Sequence, residues 1–167
     1  MIEWNTYLSA FLGFLSAIAV FFIKECWESR KNKKTTIENL KLEITYNINL
    51  YDKFEKEIQD CIEALSNDQR NIYLHLDYAF VATTFAKAFY NSGLLLKYFH
   101  PEDMHRWNVM LSQISDGGQN YIVDCTTLWR DNENIKKEEL YKSLKHEKNQ
   151  IVYAKEMSQY ILAKISA

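Results

Sequence analysis

The sequence has little of what interrupts helices. Four glycines and one proline punctuate 167 residues, which argues against short strands joined by tight turns and for long helices. Cysteine is scarce as well. Cys26, Cys61 and Cys125 are odd in number and far apart, with no CxxC and no Cys/His pair at metal-ligand spacing. That leaves no disulfide framework and no metal set, and no cofactor is expected. It fits a reducing cytoplasm, and Cys61, on an apolar helix face, reads as an inert buried thiol. Internal repeats and low-complexity tracts are missing too. The net charge of −2 argues neither for nor against nucleic acid.

What is present is helix-forming. Leu, Lys, Glu, Ile, Tyr and Phe dominate, and the length suits one domain with an attachment. The expected fold is all-α: a transmembrane helix at 1–23, a basic juxtamembrane segment at 24–35, and a cytoplasmic bundle of four or five helices at 36–167.

The attachment is the first 23 residues. Between Glu3 and Lys24 runs the uncharged stretch "WNTYLSAFLGFLSAIAVFFI", which at about 1.5 Å per residue reaches about 30 Å, the thickness of a bilayer's hydrocarbon core. A signal peptide would need a basic start and a small-residue cleavage site; Glu3 and "VFFIKECW" offer neither. Lys24, Arg30, Lys31, Lys33 and Lys34 follow the run and no base precedes it. The positive-inside rule therefore places the bundle in the cytoplasm and the amino terminus outside, with Trp4 and Trp27 as interfacial anchors.

The run has two faces. At about 100° per residue, Asn5, Thr6, Ser9, Gly13, Ser16 and Ala17 share an arc of about 120°, while Phe11, Phe14, Phe21, Phe22 and Leu15 fill the other side. Ser9, Gly13 and Ala17 have the small-xxx-small spacing that lets helices approach closely in lipid. Packing of identical chains through this face is one reading. The other is a ring whose inner wall, lined by Asn5, Ser9 and Ser16, leaves a wet path.

Beyond the basic segment a heptad pattern appears: Ile37, Ile44, Tyr51, Ile58 and Leu65 at intervals of seven, with Leu40, Asn47, Phe54 and Cys61 interleaved. One long helix is expected, its seam facing helices of the same chain or of neighbouring subunits. Asn47 interrupts the seam as a register device, or as a solvent-facing or locally bonded residue. "SNDQ" at 66–69 reads as a helix start, with a second helix from Arg70 towards Asn91. A third should begin at Pro101, favoured by Glu102 and Asp103. "DGG" at 116–118 should break or bend it before Tyr121–Trp129, and a last helix should run from Lys136 to about Ile165 with Leu140, Leu144, Ile151, Ile161 and Ile165 inward.

One short stretch raises the question of catalysis. "RNIYLH" at 70–75 places Arg70 and His75 as helical ribonucleases space their catalytic pair, a cation for the phosphorane and a proton acceptor near neutrality. On a regular helix the two side chains are about 140° apart, so they converge only if Arg70 sits in an irregular first turn. A single pair per chain would also need a dimeric site. The bland alternative has His75 bonding within the bundle and Arg70 capping or pairing with an acid such as Asp68. His100, His105 and His146 show no metal spacing.

Taken together, the run "YLSAFLGFLSAIAVFFI", the following "ECWESRKNKK", the helical remainder and the single "RNIYLH" resemble the small membrane accessory proteins of type VI-B CRISPR systems. The resemblance covers nearly the whole chain in length and layout. It implies a divergent HEPN-like bundle and a cyclic homo-oligomer in the bacterial inner membrane. It also implies pore-like depolarisation after an RNA-guided CRISPR ribonuclease recognises phage RNA. The family's motif falls on Arg70 and His75 alone, earlier in the chain than HEPN nucleases place it, which gives catalysis and direct RNA binding little support. Two other functions stay open: a membrane-tethered ribonuclease, and a scaffold that recruits a partner to the membrane.

Overall fold

In a computed structural model the backbone is described for residues 3–114, 116–131 and 135–167, and side chains for residues 11–112, 114, 119, 121–131 and 135–167. The described residues are helical: α1 (Glu3–Ser66), a 3-10 turn (Tyr78–Phe80), α2 (Thr84–Asn91), α3 (Leu95–Tyr98), α4 (Pro101–Gln113), α5 (Asp116–Arg130) and α6 (Lys137–Ser166), with no strand among them. The chain divides into two compact units, 1–38 and 39–167, and the division falls inside α1. The apolar run and the basic segment thus belong to one unit.

Among the described side chains of the first unit none is buried. Phe11, Phe14, Val20, Phe21, Phe22, Ile23 and Trp27 are 58–69% exposed, and Lys24 to Lys34 are exposed as well.

In the second unit the heptad pattern becomes a buried seam. Leu40, Ile44, Asn47, Tyr51, Phe54, Ile58, Cys61 and Leu65 are all buried, against a core completed by Leu140, Leu144, Ile151 and Ile161 of α6, Trp107 and Met110 of α4, and Ile122 and Trp129 of α5. Helix α6 packs on both α4 and α5. It also meets α1 through charge. Lys155 Nζ lies 3.0 Å from Asp52 Oδ1 and 2.6 Å from Glu55 Oε2, and Lys148 Nζ donates to Gln59 Oε1 at 2.9 Å. The lysines are two helical turns apart and so are Asp52 and Gln59, in the reverse order, which sets the two helices antiparallel. Ile37, in the first unit, is only half-buried.

The expected helix from Arg70 to Asn91 is not formed, and "SNDQ" ends a helix instead of starting one. Gln69 N donates to Ala64 O and Asp68 N to Leu65 O, the paired bonds of a Schellman motif, with Asp68 at φ 56° in the left-handed position usually held by glycine. Residues 71–77 then run without regular structure. Ile72, Leu74, Leu76 and Tyr78 are buried while Tyr73 and His75 are exposed, the period-two pattern of extended chain. The alternation is legible in "IYLHLDY", although the helix-forming sequence on either side favours a helix there. Asp77 then accepts from Ala79 N at 2.9 Å and caps the 3-10 turn.

The helices expected to begin at Pro101 and near Lys136 are formed. Pro101 opens α4, and Asp103, buried, accepts from His100 N at 3.4 Å and from Tyr160 Oη at 3.0 Å. "DGG" falls at the start of α5, and Lys136 stands at the N-cap position of the last helix without a side-chain capping bond.

Candidate functional site

Two regions carry the candidate residues, and they differ in kind. The first is the helix of residues 3–38. The side chains of Trp4, Asn5 and Ser9 lie outside the described residues. Gly13 and Ser16 are exposed, and a methyl group added at Gly13 would meet nothing within 4 Å, so this position is open to close approach by another helix. Ser16 Oγ donates to Gly13 O at 2.8 Å, which satisfies the hydroxyl within its own helix and lowers the cost of placing it in an apolar medium. At the basic end, Lys24 pairs with Glu28 at 3.8 Å and Lys31 Nζ lies 5.6 Å from the Trp27 ring centre. Arg30, Lys33 and Lys34 are fully displayed.

Among the described residues no helix is long and apolar enough to cross a membrane. Residues 11–23, the part of the uncharged run whose side chains are described, reach only about 20 Å at about 1.5 Å per residue. Crossing a core of about 30 Å would take the whole run from Trp4 to Ile23.

The second region surrounds Arg70 and His75. Arg70 Nη1 donates to Trp129 O at 3.2 Å and its guanidinium sits 4.4 Å from the Trp129 ring centre. Trp129 Nε1 donates in return to Gln69 O at 3.2 Å. Arg70 therefore clasps the end of α1 to the end of α5, while Asp68, its expected acidic partner, pairs with Lys137 at 2.5 Å. His75 is exposed on the extended run. Five residues of extended chain can advance up to about 18 Å, so the convergence a helical first turn would give is not built into one chain.

Several polar residues, of which the sequence singles out Asn47 alone, are structurally the most committed. Asn47 bonds both ways to one residue, donating to Ala82 O at 2.7 Å and accepting from Ala82 N at 2.9 Å. One turn earlier, Glu43 accepts from Phe85 N and Ala86 N, each at 2.8 Å, and so caps the amino terminus of α2 from another helix. The signal was Asn47 in the seam with an acid one turn before it. Tyr78, buried, donates its hydroxyl to buried Glu147, gives its backbone N–H to Gln119 Oε1 at 2.6 Å and accepts at its carbonyl from Val81 N at 3.0 Å. Burial first, then the Glu147 carboxylate, push the Tyr78 phenol well above its ordinary range, so the proton stays on tyrosine. Glu147 also borders a cleft of about 560 Å³ between α5 and α6, with Tyr121, Lys142 and His146. Cys61 donates towards Tyr73 O at 3.6 Å, and burial, then Asp60 and Glu57, raise its thiol to about 11. Among the described residues there is no cluster of His, Cys, Asp and Glu suited to a metal ion.

Comparison with protein-family models, curated proteins and solved structures finds no match to this chain.

Proposed function

We propose that the chain is a membrane-embedded, self-assembling effector that permeabilises the bacterial inner membrane. In this reading it acts in antiviral defence, as its resemblance to type VI-B CRISPR accessory proteins implies. One observation carries the membrane step: a helix exposing Phe11, Phe14, Val20, Phe21, Phe22 and Ile23 to the medium, with bases gathered at one end. A helix apolar nearly all round is buried in something. Lipid fits, because the bases then sit at the cytoplasmic headgroups and the run from Trp4 to Ile23 matches the bilayer core. The assembly step rests on the open surface at Gly13 and the small side chains on its face. Subunit contacts are assigned to this face because the heptad seam is occupied within its own chain.

The test is a membrane-potential dye in cells expressing the protein, with and without phage challenge. Wild type depolarises on challenge. Gly13→Leu, which fits the single helix but blocks close approach, stays in the membrane and loses most of the dye response. A Gly13→Leu chain as active as wild type would contradict assembly through this face.

A further inference from the structure

We propose that the conduit prefers anions, because the face of α1 that would line it carries Lys31 and Lys34 at its cytoplasmic end; this rests on the pore reading above. Eighteen residues make about five turns of α-helix. Lys31 is eighteen residues after Gly13 and Lys34 eighteen after Ser16, so each base stands over a member of the small, polar face. Ala17, Lys24 and Trp27 fall in the same arc of about 100°, and Phe11, Phe14, Phe21 and Phe22 fall outside it. The basic end and the small face lie along one stripe, interrupted by the apolar side chain of Val20, which falls within the same arc. Turning the phenylalanines to lipid therefore turns Lys31 and Lys34 towards the axis.

Both lysines are exposed, and among the described residues neither has an ion pair. Lys31 rests against Trp27. Lys24 contributes less, being paired with Glu28. Repeated around an axis, the two lysines make a ring of positive charge at a wet mouth, which repels cations and concentrates anions. At physiological salt such fields reach about 8 Å, so the preference should weaken as salt rises. Lys33 is the internal control, since at about 100° per residue it lies about 160° round from Lys31, on the phenylalanine side.

The experiment uses the purified full chain in planar bilayers of uncharged phosphatidylcholine under a KCl gradient. Wild type should reverse towards the chloride potential, with chloride passing several-fold more readily than potassium. Lys31→Glu combined with Lys34→Glu should move the reversal potential towards potassium, whereas Lys33→Glu should leave it in place. An unselective or potassium-preferring wild type, or an equal shift from Lys33→Glu, overturns the inference while leaving the pore standing. So does an unmoved reversal potential in a double variant that has lost flotation on anionic vesicles, which would make the bases a lipid anchor instead. No conductance at all overturns the pore reading and this inference with it.

Discussion

Residues 11–23 and residues 40–65 belong to the same helix and are both rich in apolar side chains, yet one set is exposed and the other buried. The difference lies in what surrounds the apolar positions. In 40–65 they recur every three or four residues, leaving the other faces to Glu, Lys, Asp and Gln, so helices of the same chain can cover one stripe. In 11–23 they occupy most of the circumference, and no stripe of partners from this chain could cover them. The first pattern describes a helix packed within its own unit; the second is the pattern on which the membrane reading proposed above rests.

The most direct way to break this contrast is to charge the exposed set. Phe11→Asp combined with Phe14→Asp should release the chain from membranes, since an acid at the centre of a spanning helix costs about 3 kcal/mol. Fractionation of cells into membrane and soluble pools reads the result. The same pair of changes should leave the thermal unfolding of residues 39–167 unmoved, because neither side chain belongs to that unit.

Next in size is Glu43→Ala, which strips one buried and one part-buried backbone donor of their acceptor and should cost about 2 kcal/mol in denaturant unfolding. Tyr78→Phe should cost about as much, by leaving the Glu147 carboxylate buried without its donor. Combining Tyr78→Phe with Glu147→Leu should cost less than the sum of the two single changes, as measured by a double-mutant cycle.

These two polar contacts also mark where the sequence stopped being readable. The long helix, its seam, the start at Pro101 and the last helix followed from spacing and capping chemistry, which act within a few residues. Asn47 stands out in the sequence only as a polar break in the seam and Glu43 not at all, because their partners, Ala82, Phe85 and Ala86, are some forty residues away and are backbone atoms with no sequence signature. The stretch 70–78 was misread for another reason. Its alternation was visible, but its outcome depends on the groove it fills, which is set by α1 and α5. Arg70 was legible as a residue with a commitment; that the commitment was to Trp129 was not.

Smaller effects sharpen the picture at Arg70 and His75. Arg70→Ala should destabilise by about 1 kcal/mol, through loss of the carbonyl bond and the stacking on Trp129. His75→Ala should stay within about 0.5 kcal/mol of wild type, as an exposed substitution usually does. It should also leave depolarisation intact. RNA cleavage by wild type that vanishes in His75→Ala would restore the nuclease reading.

The smallest effects concern the thiols. A maleimide reagent at pH 8 should label exposed Cys26 in the detergent-solubilised chain and spare buried Cys61 and Cys125. The Cys61 thiol is raised from 9.0 to about 11 in the fold, so its contribution to stability is complete below about pH 9 and is lost as pH rises towards 11. Unfolding midpoints followed from pH 8 to 11 should fall, and replacing Cys61 with Ala should flatten that part of the curve.

The central claim is that the leading apolar helix lives in lipid, and alkaline carbonate extraction of membranes from expressing cells tests it most directly. The chain should remain in the pellet and come out only with detergent. Recovery of intact chain in the carbonate supernatant, or as a monomer in detergent-free buffer, would contradict the account.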